Sequence, residues 1–221
     1  MIFSTSCPQQ RFKLPEADLL QPNGPDDPLP YYHKPFIGKI YRARIEQALS
    51  LLTPPYESIL EIGYGSGLLL PSLCEMGTSV SGIDLQTNPD QLKDPLEKLG
   101  INCTLIQGDI SDQHFAEGSF DLIVAISIFE HIADLRPRVE RVHKLLAPSG
   151  HILVGMPRVD RYMDMAFRGI GYNNINDHHV TNYKQFMSAA DEYFRLIRLT
   201  HLPKLLPRTC GLYYNMIFEK R

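Results

Sequence analysis

Three glycines stand at alternate positions directly after an apolar run, and they are the residues most able to do chemistry here. Ile62 ends the run, Gly63, Gly65 and Gly67 follow, and Glu61 lies just before them. Glycines between a strand and a helix let the backbone adopt positive φ and let a ligand approach closely. The helix N-terminus that follows offers unpaired N–H groups and a positive dipole end. The turn therefore predicts a nucleotide-like ligand, the alternative being a tight glycine turn of any α/β protein.

The spacing of these glycines argues against a dinucleotide. The dinucleotide fingerprint is Gly-x-Gly-x-x-Gly, with two residues between its second and third glycines. Here only Ser66 separates Gly65 from Gly67, so the turn is one residue shorter. Glu61 would also repel a pyrophosphate, and it suits a cation near the turn. A nicotinamide-dependent oxidoreductase, which needs the longer spacing, is therefore disfavoured.

Two further acids follow apolar runs downstream. Asp84 ends the run 79–84, at the place where an open α/β sheet puts the residue that hydrogen-bonds a ribose hydroxyl. Asp109 comes just after the run 103–107. The alternative for each acid is a solvated carboxylate at the end of a strand.

The elements that must position these residues alternate along the chain. The run 120–126 is apolar apart from Asp121, as is typical of a strand buried on both faces of a parallel sheet. Alternation of such runs with helical patterns predicts an α/β fold with a doubly wound parallel sheet. We predict strands at 59–62, 79–84, 103–107, 120–126, 151–156, 194–199 and 212–219, and helices at about 36–52, 67–76, 90–99, 137–147 and 182–192.

Composition narrows the class of protein further. The 221 residues carry a net charge of −3, so no global basic field is available to hold nucleic acid. The four cysteines are far apart, which predicts neither a zinc site nor a disulfide framework and favours a reducing, cytoplasmic location. We expect no metal, no signal peptide and no membrane-spanning segment. Basic residues at 136–144 are interpreted as the solvated face of one helix.

In order and spacing these motifs resemble the class I S-adenosylmethionine-dependent methyltransferases, in particular the small-molecule, "type 11"-like domain. The resemblance spans about residues 56–156 and continues more weakly to the C-terminus. It rests on Glu61 with the three glycines, Gly82 and Asp84, Gly108 and Asp109, Gly118 to Asp121, Glu130 and His131, and Leu145 to Gly150.

The resemblance implies a Rossmann-like sheet of seven strands with helices on both faces. The last strand would run antiparallel between the fifth and the sixth. It also implies S-adenosyl-L-methionine as methyl donor and S-adenosyl-L-homocysteine as product. Gly63, Gly65 and Gly67 would line the methionine and ribose portion of the donor, and Glu61 would orient its ammonium group. Asp84 would accept hydrogen bonds from the ribose hydroxyls, and Leu85 would pack on the adenine. Asp109 would accept from the adenine amine, Ile110 would offer its backbone N–H to the ring, and Ile126 would complete the cofactor site.

A general base is required only if the acceptor is protonated at working pH, because the donor is already activated. His131 would follow the fourth strand, beside the expected methyl group, and its alternative role is structural. His178 and His179 close the insertion at about 157–180, which the family uses to cover the acceptor. Their alternative is a helix start capped by Thr181 or Asp177.

The absence of two sequence motifs narrows the class of methyl acceptor. No Asn/Asp-Pro-Pro-Tyr/Phe motif of base amino-methylation follows the fourth strand, and no Pro-Cys nucleophile stands there. Aromatic, Met and Arg side chains in the insertion suit a small, partly apolar acceptor, with or without an anionic group. The equally supported alternative is that these side chains form the core of the insertion itself. We therefore expect methylation of O, N or C of a small metabolite by a monomer or homodimer. The alternatives are a cofactor-binding partner subunit without turnover and a protein or RNA methyltransferase.

The proline-rich segment 1–35 precedes a single domain at 36–221. Its prolines exclude a regular helix or a central strand. Two interpretations remain open: the segment crosses the surface, or it orders as a lid.

Overall fold

The computed structural model describes residues 12–25, 27–112, 114–158 and 180–221. Seven strands form one sheet in the order β3-β2-β1-β4-β5-β7-β6. The strands are β1 Tyr56–Ile62, β2 Gly77–Asp84, β3 Thr104–Gln107, β4 Phe120–Ile126, β5 Leu146–Pro157, β6 Phe194–Leu202 and β7 Tyr213–Lys220. The helices are α1 Leu29–Tyr32, α2 Ile37–Leu49, α3 Leu70–Cys74, α4 Asp90–Lys98, α5 Leu135–Leu145 and α6 Tyr183–Ala190, with short 3-10 turns at Phe129–His131 and Arg208–Cys210.

The sheet is parallel except for its last strand. Strands β1 to β5 pair in parallel, and β7 pairs antiparallel with both β5 and β6. The predicted fold class and the predicted position of the last strand are confirmed. The chain order reverses between β1 and β4, so the carboxyl ends of these two strands flank the crevice where ligands bind in open α/β sheets.

Helices cover both faces because successive side chains of the central strands point in opposite directions. Leu122 and Val124 of β4 join the core on one side, together with α2, α3 and α4. Ile123 and Ala125 join the core on the other side, under α5 and α6. The apolar run that predicted a doubly covered strand is therefore buried on both sides.

Most predicted boundaries lie within three residues of those observed, and two elements differ in form. The helix expected at 67–76 is shorter in the structure, where α3 covers Leu70–Cys74. The residues before it, 65–69, form turns and bends instead of helix. The strand expected to begin at 151 begins at Leu146. Pairing with β4 is interrupted between Leu146 and His151, so the residues between them, including Ser149 at φ +61°, bulge out of the ladder.

The described part of the proline-rich segment packs on the domain. Phe12, Leu20, Leu29 and Tyr32 are buried in the same core as α2. The expectation of no regular helix is wrong for residues 29–32, since prolines are tolerated in the first turn of a helix.

Candidate cofactor and acceptor site

The glycine turn lies at the carboxyl end of β1 and needs its glycines. Gly63, Gly65 and Gly67 adopt φ of +76°, +50° and +79°. A Cβ on Gly63 would lie 2.0 Å from Cδ1 of Ile128, in the loop after β4. The turn therefore passes directly against the end of β4, and no larger residue fits at its first position.

Asp84 ties the ends of β1 and β2 together. Its Oδ2 accepts from the backbone N–H of Gly65 at 2.9 Å, and its Oδ1 accepts from those of Gln86 at 2.9 Å and Thr87 at 2.8 Å. The neighbouring Leu85 is 65% exposed and offers an apolar surface beside this carboxylate. An oriented carboxylate and an apolar surface thus stand side by side, as a ribose and a base would require.

Glu61 is buried beneath the turn with one oxygen unused. The residue is 5% exposed, and Oε2 has no hydrogen-bond partner among the residues that the structure describes. Burial, with smaller contributions from Cys103 and Asp84, raises the pKa of this carboxyl well above its usual range. A buried acceptor of this kind is stabilised by a cation, so the site fits the ammonium group of an amino-acid moiety.

Asp109 is held by two donors at the end of β3. Its Oδ1 accepts from the Ser111 backbone at 2.7 Å, and its Oδ2 accepts from Nη2 of Arg138 at 3.1 Å. Burial opposes the charge, but the Ser111 hydrogen bonds and Arg138 outweigh it, so the pKa of Asp109 lies below its usual value. Ile110 beside it is buried.

The basic helix α5 is not simply a solvated face, which corrects the expectation from sequence. Arg138 pairs with Asp109, and Arg141 donates to the carbonyls of Ile110, Asp112 and Phe115 at 3.0 to 3.3 Å. These contacts fix the loop after β3. Sequence patterns did not indicate them, because an arginine at the edge of a helix looks the same whether it meets solvent or a loop.

The remaining predicted residues are distributed around the end of β4. Ile126 is its last residue and lies against Gly155 of β5. His131 is exposed on the 3-10 turn that follows. His178 and His179, with most of the predicted insertion, lie outside the described residues.

A cluster of polar side chains at this edge was not predicted. Arg44 of α2 donates from Nη2 to the Tyr32 hydroxyl at 2.8 Å and from Nη1 to Ser127 Oγ at 3.5 Å. Ser127 Oγ lies 2.9 Å from the Tyr213 hydroxyl. Tyr213 reaches this edge because β7 is antiparallel and begins where β4 and β5 end. We call Tyr32, Arg44, Ser127, Glu130 and Tyr213 the arginine cluster.

Glu130 of this cluster is 1% exposed, and its Oε2 lacks a partner among the described residues. Burial raises its pKa to about 8, although its own backbone N–H, Arg44 and Ser127 act in the opposite direction. The only sequence signal was its place next to His131. Arg44 carried even less signal, since it stood among the polar residues of an amphipathic helix.

Comparisons with known proteins agree with this geometry. A family model described as "Methyltransferase domain" matches residues 35–191. The ubiquinone biosynthesis O-methyltransferase of Vibrio campbellii is 31% identical over 172 residues, which is 72% of this chain and 68% of that protein. Its counterpart from Vibrio parahaemolyticus is 26% identical over 170 residues, with the same coverage.

Solved structures share the fold. N-methyltransferase NodS from Bradyrhizobium japonicum WM9, in complex with S-adenosyl-L-homocysteine, superposes with a TM-score of 0.63 at 21% identity, over 90% of this chain and 94% of NodS. The PH0226 protein from Pyrococcus horikoshii gives 0.65 at 18% identity, over 82% and 91%.

An open α/β sheet of this order, with a glycine turn after β1, an acid at the end of β2 and a buried acid beneath the turn, is typical of enzymes that bind a nucleoside cofactor. The chain belongs to the class I S-adenosylmethionine-dependent methyltransferases. It is thus an enzyme that transfers a methyl group to a small molecule with S-adenosylmethionine as cofactor. Within the described part of the chain, no helix is long and apolar enough to cross a membrane.

Proposed function

We propose that this enzyme methylates an oxygen atom of a small hydroxylated acceptor. The observation that carries the proposal is the likeness to ubiquinone biosynthesis O-methyltransferases, which extends over more than two thirds of both chains. A crevice whose edge presents an arginine and several tyrosines supports a polar, aromatic acceptor.

We propose that the cofactor lies along the carboxyl ends of β1, β2 and β3. Gly63, Gly65 and Gly67 would line its methionine and ribose portion, and Asp84 would accept from the ribose hydroxyls with the lone pairs that Gly65, Gln86 and Thr87 leave free. Glu61 would meet the ammonium group, directly or through water. Leu85, Asp109 and Ile110 would surround the adenine, and Ile126 would close the site at β4. Two observations support this arrangement: the buried Oε2 of Glu61 has no partner among the described residues, and Leu85 is exposed.

The bound cofactor supplies a methyl group already activated on a sulfonium. The tasks left to the protein are to hold the acceptor oxygen in line, to exclude water and to receive the hydroxyl proton. We propose His131, on the turn after β4, as the group that receives the proton, with His178 or His179 as alternatives. An imidazole suits this role because it titrates near neutral pH.

The proposed domain plan adds a cover on the crevice. We propose that the segment 1–35 and the insertion at about 157–180 lie over a single domain, which acts as a monomer or homodimer. Asn23 supports the first part, since its Nδ2 donates to Thr87 Oγ1 at 2.8 Å and lies 3.6 Å from the Cβ position of Gly65.

A binding experiment tests the cofactor residues. S-adenosyl-L-homocysteine should raise the unfolding temperature of the wild type, whereas NAD should not. Asp84→Asn should bind the product about 10- to 100-fold more weakly, because one charge-assisted acceptor is lost. Asp94→Asn, a change at an exposed acid of α4, is the matched control. Equal affinity of Asp84→Asn and wild type would show that the ribose site is misplaced.

The acceptor is tested with a panel of catechols, phenols, amines and enols, followed by formation of S-adenosyl-L-homocysteine. Turnover confined to hydroxylated acceptors supports the proposal. Turnover of amines alone contradicts O-methylation. Silence across the whole panel, with intact cofactor binding, favours a partner subunit.

A further inference from the structure

The arginine cluster adjoins the glycine turn, because Ser127 of the cluster is next in sequence to a residue that contacts the turn. Ile128, which contacts Gly63, is preceded by Ser127, and Ser127 meets both Arg44 and Tyr213. Ser127 adopts φ +59°, a left-handed conformation that is uncommon for serine and turns the chain at the end of β4. The cluster therefore lies at the carboxyl end of β4, whereas Asp84 and Leu85 lie at the end of β2, on the other side of β1.

Tyr213 reaches Ser127 only because position 155 is a glycine. Tyr213 pairs with Pro157 in the antiparallel ladder, and its ring passes over β5 toward β4. A Cβ on Gly155 would lie 2.7 Å from the Tyr213 hydroxyl, so a side chain there would displace the end of the Tyr213 ring. The pairing of β5 with β7 thus places the Tyr213 ring against the backbone of Gly155.

Among the residues that the structure describes, no carboxylate neutralises the positive charge of Arg44. Its guanidinium carbon lies 4.5 Å from the ring centre of Tyr41, 5.3 Å from that of Tyr213 and 5.6 Å from that of Tyr32. No carboxylate of residues 12–25, 27–112, 114–158 or 180–221 forms a salt bridge with it, and its Nε has no acceptor there.

Glu130, the acid of the arginine cluster, does not supply a compensating negative charge. Glu130 is buried, and with a pKa of about 8 it holds its proton through neutral pH. Aromatic faces attract a cation but do not cancel its charge. A guanidinium in such a place favours an anionic ligand, and its planar fork matches the two oxygens of a carboxylate.

Taking the proposed O-methylation as its basis, we propose that Arg44 binds a carboxylate group of the methyl acceptor. The rings of Tyr41 and Tyr213 then pack against the body of that acceptor, beside the hydroxyl to be methylated. The enzyme therefore selects hydroxylated carboxylic acids over neutral compounds of the same shape. The competing role for Arg44 is purely structural, as a bridge from α2 to Tyr32 and Ser127.

Calorimetric titration of the protein saturated with S-adenosyl-L-homocysteine separates the two roles. The probes are a vicinal dihydroxybenzoate and a dihydroxycinnamate, each paired with its methyl ester. The wild type should bind each acid at least about 10-fold more tightly than its ester, as expected for charged hydrogen bonds. Arg44→Gln should abolish this preference, and Arg44→Lys, which keeps the charge without the fork, should retain part of it.

Lys39→Gln, which removes an exposed cation from the same helix, should bind both members of each pair as the wild type does. A wild type that shows no preference for acid over ester, including one that binds neither, would overturn the proposal. So would an Arg44→Gln variant with the wild-type preference. If Arg44→Gln does not fold, the acid-to-ester ratio of Arg44→Lys decides, because an unchanged ratio contradicts the fork.

The binding preference and the methylation reaction test two different proposals, so one can fail without the other. Methylation of acids and esters with equal efficiency would leave O-methylation standing and remove the role of Arg44. A preference for acids in binding, without methylation of any hydroxyl, would support the role of Arg44 and contradict O-methylation.

Discussion

Glu130→Gln should make the stability of the protein less sensitive to pH. In the folded chain the pKa of Glu130 is about 8, whereas an exposed glutamate titrates near 4.5. Between these values the unfolded chain releases a proton that the folded chain keeps. Unfolding therefore releases protons, and raising the pH through this window lowers the free energy of unfolding.

The expected size follows from the shift. One pKa unit corresponds to about 1.4 kcal/mol, so Glu130 costs about 3 kcal/mol of stability at pH 7 and about 5 kcal/mol above pH 8, relative to acidic conditions. The glutamine variant keeps the size of the side chain and carries no charge. Its amide adds a desolvation penalty of about 1–3 kcal/mol, which is the same at every pH and cancels in the comparison.

Urea unfolding followed by circular dichroism at pH 5, 6, 7 and 8 provides the measurement. The difference between variant and wild type should move in favour of the variant by several kcal/mol, about 3 to 5, from pH 5 to pH 8. Glu46→Gln, at an exposed glutamate of α2, controls for the loss of a charge. Parallel stability curves for wild type and Glu130→Gln would refute both the raised pKa and the uncompensated charge of Arg44.

Two further substitutions test the cofactor turn. Glu61→Gln should raise the unfolding temperature without ligand, because the burial that raises the pKa of Glu61 makes its charge costly, yet weaken binding of S-adenosyl-L-homocysteine about 10-fold. Glu57→Gln on the same strand should change neither, and tighter binding by Glu61→Gln would disprove a contact with the ammonium group. Gly63→Ala should cost about 1–3 kcal/mol of stability and prevent product binding, since φ is +76° and the new Cβ would lie 2.0 Å from Ile128 Cδ1. Adding Ile128→Ala should recover part of the loss, Gly24→Ala should be tolerated, and a fully stable Gly63→Ala would contradict the close approach.

The fold was predictable because burial leaves a periodic trace in the chain. The run 120–126 is apolar at every position that the two faces of β4 bury, and its one acid, Asp121, is only half-buried. The antiparallel last strand was predictable only through the resemblance to a family, since pairing partners leave no periodic trace. The strand predicted to begin at 151 begins at Leu146, because a bulge and a loop share their residue types.

The site divides in the same way. The sequence by itself determined the glycine turn and the acids that follow β2 and β3, because local backbone conformation demands glycine and strand ends collect polar groups. Only the tertiary structure decided that Arg138 holds Asp109, that Arg141 holds the next loop and that Arg44 stands among Tyr32, Tyr41 and Tyr213. A flexible cation far along the chain has many possible partners, and the partner it takes depends on which elements pack together. That packing leaves Arg44 without a carboxylate among the described residues, and this uncompensated charge is the basis for the proposed acceptor site.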